Sequence, residues 1–510
     1  MIEQLDEIIT DLETRISAIE SRTRARKEID QERFVHAIRF LLTELWKSIY
    51  TIPARKGVVQ FNKNYYNSDY CDPNLKYQGV KDAFDNLYFL GLIKTETDMS
   101  GNPKFEKDYK AIHKRGKSTR FWVEPDSELY ERLIAIQAHP AQIKRGSLDK
   151  RVILRERVGK DKINVNYTNT PQTMQWEANL ACINDCLERH WADLKLTEAM
   201  IPAFLERLAG RRRDYNEDRA HFDLSKRTIG RVFAEGRFDR GGRFFGHWAQ
   251  NIPNKVKEEG DIKYRELITI DGKSTVEYDY ETLHPSMLYF LEDKEMGNED
   301  AYSRVLGEEY RKPVKWAFNA MVNSKGNPTR PPRKFRVEDF GGLEWKDVVN
   351  KIMDAHKPIA SMFYSNKGNE LQFMDSQIAE AIMLEYSKQD YPVIPVHDSF
   401  IMHHGFGSTG ELEETMRKAF YGVMGKQIDA TEKVKLINAL TDETNESAEN
   451  IEWGDISFET IIEGDPELKS YNKRDYLWFA NKNSNSAVQY MPDEILKPKN
   501  YKKYKDRQNR

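Results

Sequence analysis

The chain reads as an α+β fold, and three observations carry that reading. Apolar residues recur at three- and four-residue spacing over long stretches up to about residue 235, which is the period of a helix. From about 236 to 430, short apolar alternations mix with helical segments, as strands and helices do in one domain. Two of those alternations, V-E-Y-D-Y-E-T-L-H-P-S-M-L-Y (276–289) and I-P-V-H-D-S-F-I (394–401), each break off at a carboxylate.

The elements follow in order. Ile2, Leu5, Ile9, Leu12, Ile16 and Ile19 form the seam of a short coiled coil within 1–29. So short a seam either pairs with a second copy, giving a homodimer through residues 2–19, or packs on the body. Over 30–140 the order resembles a winged helix. A helix covers 31–50, and a second covers 77–92 with Val80, Phe84, Leu87 and Leu90 on one face. Two short strands at 92–96 and 119–123 flank a stretch rich in Gly, Lys and Arg. In winged helices the second helix reads a groove and the hairpin touches phosphate; small cores of this kind also mediate protein contacts. Residues 141–235 read as helical, with helices at 172–190 and 196–208. The last segment, 431–510, is polar and ends in a basic tail expected to be disordered.

Composition narrows the class. At 510 residues the chain is long enough for several domains. No run of about 18 apolar residues occurs, and the acidic, amphipathic start is unlike a secretory signal. A cytoplasmic protein with no membrane contact is expected. Cys71, Cys182 and Cys186 are too few for a disulfide framework, and sequence spacing completes no zinc site around them. They read as buried thiols. The net charge of −3 excludes a generic nucleic-acid coat. Basic residues instead gather locally, at R-T-R-A-R-K (22–27), Arg211-Arg212-Arg213, K-G-N-P-T-R-P-P-R-K-F-R (325–336) and the tail from Lys497.

The two carboxylate strings carry chemistry. Asp279 ends a strand-like run, and Pro285 suits the first turn of the helix that follows. Asp398 sits at the tip of a strand-turn-strand, beside His397. Carboxylates far apart in sequence but both at strand ends suit a pair of Mg²⁺ ions, which Mn²⁺ can replace. Each ion takes one or two carboxylates and fills its other positions with water and phosphate. Between the strings, Y-R-K-P-V-K-W-A-F-N-A-M-V-N-S-K (310–325) sets Arg311, Lys315, Asn319 and Asn323 on one helical stripe. Such a stripe binds a triphosphate, and a lysine on it can protonate the leaving pyrophosphate. A solvated charged face is the plainer alternative.

The order of these strings resembles motifs A, B and C of right-hand nucleic-acid polymerases. D-Y-E-T-L-H-P-S-M-L is similar to motif A of family B DNA polymerases, and K-W-A-F-N keeps that family's Lys-x-x-x-Asn. V-H-D-S-F resembles motif C of family A DNA polymerases and of single-subunit phage-type RNA polymerases. R-K-P-V-K, the closing S-K and D-R-G-G-R (239–243) are also similar to the latter group, the last to its template-contacting Asp-x-x-Gly-Arg. L-Q-F-M-D-S-Q-I-A-E-A-I-M (371–383) is placed like the helix before motif C in family A. Two features depart from the pattern: Asn323 stands where family A and the phage-type enzymes have Tyr, and no Tyr-Gly follows.

The resemblance spans about residues 230–405. It implies an antiparallel palm sheet with helical fingers and thumb: a thumb-type domain over 141–235, palm over 236–296 and 371–430, and fingers over 297–370. It implies that Asp279 and Asp398 hold metal, with the Tyr280 carbonyl on one ion. Arg311 and Lys315 take the triphosphate, Asn319 and Asn323 line the nucleotide pocket, Arg240 and Arg243 contact template, and His397 supports the primer end. His284 occupies the position where family A has Glu, family B has Tyr and phage-type RNA polymerases have Gly. A bulky group there blocks a ribose 2′-hydroxyl, whereas a histidine that hydrogen-bonds it selects ribose. The implied partners are DNA template and primer with dNTPs, or NTPs. DNA synthesis is the leading expectation. An RNA polymerase or primase is the alternative, then a DNA-binding replication initiator with an inactive palm; a metal-dependent nuclease is a weaker rival.

Overall fold

The computed structural model describes residues 3–20, 24–50, 56–95, 118–136, 150–159, 161–190, 192–210, 223, 225–253, 262–280, 282–297, 299–326, 330–403, 409–425 and 441–443. The Arg211–Arg213 cluster, the basic tail and nearly all of 431–510 lie outside these residues. Among them, no helix is long and apolar enough to cross a membrane.

The N-terminal seam is used inside the chain. Helix α1 (Glu3–Ile19) turns Leu5, Ile8, Ile9, Leu12 and Ile16 into a core shared with Phe34, Ile38, Leu41 and Leu45 of α2 (Glu28–Tyr50). Each such side chain contributes about 1.5–3 kcal/mol of burial. α1 thus shares one core with residues up to Ile136, and of the apolar seam Ile19 is left exposed. Strand β1 (Gly57–Gln60), α3 (Lys63–Tyr66), α4 (Tyr77–Phe89), β2 (Lys94–Thr95), β3 (Ser118–Trp122) and α5 (Glu128–Ile134) complete the unit. Its antiparallel sheet has the order β1-β3-β2. Phe84 of α4 meets Phe61 and Phe121 edge-on, at 5.1 and 5.4 Å between ring centroids. The tip between β2 and β3 lies outside the described residues. Tyr70 joins this unit to the rest: its hydroxyl donates to the Val165 carbonyl (2.7 Å) and accepts from the Leu154 amide (3.1 Å).

The second core runs from Val152 to Phe420 without a break. It holds β4 (Val152–Val158), β5 (Asp161–Asn164), α6 (Pro171–Arg189), β6 (Ala192–Leu194), α7 (Ile201–Gly210), β7 (Gly230–Phe233) and β8 (Gly241–Phe245). Next come β9 (Ile268–Ile270), β10 (Lys273–Tyr280), α8 (Leu283–Leu291), α9 (Ser303–Leu306), α10 (Arg311–Asn323), α11 (Trp345–Ala355) and α12 (Gly368–Lys388). The last elements are β11 (Ile394–Val396), β12 (Ser399–His403), α13 (Thr409–Met424) and β13 (Thr441–Glu443). Helix α6 starts where expected because Thr170 and Thr173 form a capping box and Pro171 fills the first turn.

Two sheets position the site. One has the antiparallel order β11-β12-β10-β9-β6, with β13 also against β10. The other has the order β5-β4-β7-β8. Within 141–235, four strands, β4 to β7, stand beside the expected helices. Strand pairing also crosses position 235/236: β6 pairs with β9, and β7 pairs with β8. β5, β6 and β7, of three or four residues each, offer too little alternation to be read from sequence.

Helix α12 is the pillar between the sheets and is buried on most sides. Buried Arg231 ties it to β7 and β8, donating to Glu380 (2.7 Å), Ser376 (2.9 Å) and the Gly242 carbonyl (3.0 Å). Gly242 is required for this approach. It has φ of 82°, and a Cβ there would stand 2.6 Å from the Ser376 hydroxyl.

Candidate active site

Asp279 lies near the end of β10, opposite Ser399 of β12. Asp398 lies one residue earlier, in the two-residue turn between β11 and β12, and its carbonyl accepts from the Tyr280 amide at 3.4 Å. The turn closes because His397 takes φ of 64°, a conformation rarely populated by residues with a side chain. The β-pairing thus brings together two aspartates that are more than a hundred residues apart in sequence.

The electrostatics of the pair are unfavourable as they stand. Burial and then the neighbouring Asp398 charge push the Asp279 carboxyl well above the ordinary carboxylate range, with Lys315 pulling it back and Glu277 adding to the rise. Asp279 Oδ1 is buried with no hydrogen-bond partner among the described residues. A negative site with an unsatisfied carboxylate oxygen is what a divalent cation satisfies, so these residues fit Mg²⁺.

Helix α10 supplies the facing charges. Lys315 Nζ and the Arg311 guanidinium lie 5.6 and 5.5 Å from the ring of buried Tyr302. Arg311 is fixed by Asp300 at 2.9 Å. Burial raises the Tyr302 hydroxyl; Arg311 opposes the rise, and Asp300, Asp398 and Asp279 add to it. All of these charges therefore act on one phenol.

A second cluster involves the helix that follows Asp279 in the chain. Arg243 on β8 donates from Nε and Nη2 to Asp375 Oδ2 of α12, at 2.8 and 2.5 Å. His284, at the start of α8, points its Nε2 toward the same oxygen from 3.8 Å, too far for a hydrogen bond. That nitrogen is buried and has no hydrogen-bond partner among the described residues. Burial alone would raise the Asp375 carboxyl; His284 and Arg243 together bring it below its ordinary value.

The remaining expected residues fall in different places. Asn323 turns away along its own helix. It donates to the Asn319 carbonyl (2.6 Å), and its Oδ1 occupies the space where a Cβ on Gly368 would be. Asn319 is half-buried on α10, on the turn between Lys315 and Asn323. Arg240 is enclosed by acidic groups, with Glu370 at 3.4 Å and Glu235 at 3.9 Å. The Tyr280 side chain is buried away from the carboxylates, its hydroxyl donating to the Met416 carbonyl at 2.6 Å. His397 is exposed, with its ring 6.2 Å from that of Phe245.

Three residues of this neighbourhood escape the sequence reading. Asp375 is one; it lies within the 371–383 string but carries no local mark of its role. Glu277 is the second, on the same face of β10 as Asp279. It accepts from the Ser399 hydroxyl (2.6 Å) and pairs with Arg265 (2.8 Å), the third. A carboxylate two residues before Asp279 on one strand is a usable signal, because alternate residues share a face.

No family profile matches the chain, and no curated protein matches it. Among solved structures, it aligns with the POL domain of Pol1 from M. smegmatis in complex with DNA primer-template and dNTP. The identity is 14%, over 44% of this chain and 48% of that one, with a TM-score of 0.26. The chain thus spans under half the length of that structure.

Proposed function

We propose that this chain is a template-directed nucleic-acid polymerase of right-hand type that extends DNA primers. The observation that carries the reading is that Arg311 and Lys315 of α10 stand against the Tyr302 ring, within electrostatic reach of Asp279 on β10 and Asp398 in the β11–β12 turn. A metal-dependent nuclease has no need of the Arg311 and Lys315 side of this arrangement.

Asp279 and Asp398 would hold Mg²⁺, with the Tyr280 carbonyl as a further oxygen. Bound Mg²⁺ supplies Lewis-acid activation of the primer 3′-hydroxyl and neutralises charge at the leaving pyrophosphate. Arg311 and Lys315 bind the triphosphate, and the Lys315 ammonium gives its proton to the departing pyrophosphate oxygen. Asn319 lines the nucleotide pocket. Arg243 contacts template in an orientation set by Asp375, and His397 supports the primer end. Asn323 and Arg240, both engaged within the chain, take lesser parts. In this reading the N-terminal unit acts as a winged helix, with α4 and the β2–β3 hairpin on duplex DNA.

His284 decides the sugar. As a steric gate it excludes the 2′-hydroxyl, and His284→Gly then raises ribonucleotide incorporation in a competition between dNTP and NTP. Unchanged or lowered incorporation rejects the gate. Nε2 makes no hydrogen bond among the described residues, which favours a second reading, RNA synthesis, because it can bond a 2′-hydroxyl that a deoxyribose lacks.

The test is synthesis with Mg²⁺ on single-stranded DNA, with and without an annealed primer, with dNTPs or NTPs. Extension from primer with dNTPs supports the proposal. Product from NTPs without primer moves it to an RNA polymerase or primase. Absence of product in every lane leaves the DNA-binding initiator.

A further inference from the structure

A cluster of Cys186, His190 and Asp390 lies at the other end of β10 from Asp279. Asp271, which contacts the cluster, precedes Asp279 by eight positions along the turn and strand. At a rise of about 3.3 Å per residue that is about 26 Å, so this cluster is no part of the carboxylate site.

Three chain segments converge there. Cys186 and His190 are four residues apart at the end of α6, hence on one face. Asp390 takes φ of 65° in the turn that follows α12. Asp271 and Gly272 form the two-residue turn from β9 to β10, with φ of 52° and 79°, the signature of a tight Asp-Gly hairpin. The sulfur of Cys186, a ring nitrogen of His190 and a carboxylate oxygen of Asp390 all lie within 4.8 Å of one another.

We propose that Cys186, His190 and Asp390 bind one thiophilic divalent cation, zinc by class, with Asp271 orienting the histidine. Two independent distances support the site. His190 Nε2 stands 3.3 Å from Asp390 Oδ1; the edge of a tetrahedron with metal–ligand bonds near 2.0–2.1 Å is about 3.3 Å. On the far side of the ring, Nδ1 meets Asp271 Oδ2 at 2.5 Å. A carboxylate on the second nitrogen fixes the tautomer and leaves Nε2 as the ligand, the arrangement found behind metal-bound histidines.

The mixed thiolate, imidazole and carboxylate set selects zinc over magnesium or calcium, which prefer oxygen alone. Water takes the fourth position. Cys186 is fully buried, while Asp390 is partly exposed and gives the ion an entry path. Arg189 donates to the same Asp390 oxygen at 2.8 Å and holds the carboxylate in place. Binding releases to solvent both the Cys186 thiol proton and the proton on His190 Nε2, leaving a neutral imidazole whose remaining proton sits on Nδ1 toward Asp271. The bound ion ties the end of α6 to two turns remote in sequence, independently of whether the chain is a polymerase.

The full-length protein, stripped with chelator and titrated with Co²⁺ and then Zn²⁺, tests this. One equivalent of cobalt is expected to give the near-ultraviolet absorption of a cobalt–thiolate bond, displaced by zinc. Cys186→Ser abolishes it, and Asp279→Asn leaves it intact. Asp271→Asn weakens zinc by about 10–100-fold, and Asp390→Asn, at a partly exposed turn, weakens it at least as much. A wild-type protein with normal circular dichroism and no thiolate band overturns the site. So does a band that survives Cys186→Ser, or zinc affinity unchanged in Asp390→Asn.

Discussion

Asp279 and Asp375 are two aspartates with opposite electrostatic outcomes. Asp375 is the more deeply buried, yet its carboxyl lies below the ordinary range, because Arg243 and His284 face it. Asp279 lies above that range, because burial and then the Asp398 charge raise it and one of its oxygens meets no donor among the described residues. The difference separates a carboxylate that holds other side chains in place from one that needs a cation brought from outside. Burial raises both carboxyls, so burial alone does not tell the two roles apart.

The largest effect expected from this contrast is on chemistry. Asp279→Asn or Asp398→Asn should lower the rate of synthesis by about 10³-fold or more, since metal stabilisation of the transition state is worth several kcal/mol. Circular dichroism should stay unchanged. Retention of wild-type rate by either variant would end the metal-ligand assignment.

Next in size is the stability of Asp375→Asn. Loss of a charge-assisted bond to Arg243 should cost about 1.5–3 kcal/mol at neutral pH, read by denaturant unfolding. The sign follows from the lowered carboxyl. Its stabilisation is fully present above the unfolded value of about 4 and is lost as pH falls below it. The gap between variant and wild type should therefore close on acidification. A gap that stays constant with pH would make the loss one of packing.

The smallest effect has the opposite sign. Asp279 titrates above its unfolded value, so in the metal-free protein it destabilises the fold as pH rises past about 4, fully so above its raised value. In chelator at neutral pH, Asp279→Asn should be more stable than wild type by about 1 kcal/mol, and the gain should vanish toward pH 4. A destabilised variant under those conditions would mean that Asp279 is a structural anchor like Asp375.

How much of this was legible in the sequence depends on whether the signal was local. Asp279 and Asp398 stand out because each interrupts an apolar strand, and Lys315 and Arg311 because four-residue spacing puts them on one face. The Asp375–Arg243 pair is invisible to such reading: its members are 132 positions apart, and Asp375 looks like any polar residue on a helix. The same holds for the cluster around His190, whose two distant aspartates are brought in by turns. Cys186 alone reads as a buried thiol. The α1 seam was read correctly as apolar, but its partner, α2, is a matter of tertiary packing that heptad spacing does not specify. Within 141–235, β6 and β7 were not legible because they are stabilised by pairing with β9 and β8, which lie beyond position 235.

The central claim is that the Asp279–Asp398 pair carries Mg²⁺-dependent synthesis on a DNA template. Its most direct test is primer extension by wild type, Asp279→Asn and Asp375→Asn in parallel, with and without Mg²⁺. The account requires extension by wild type only when Mg²⁺ is present, none by Asp279→Asn, and reduced but measurable extension by Asp375→Asn. Extension by Asp279→Asn at the wild-type rate, or none by wild type under any condition, would contradict it.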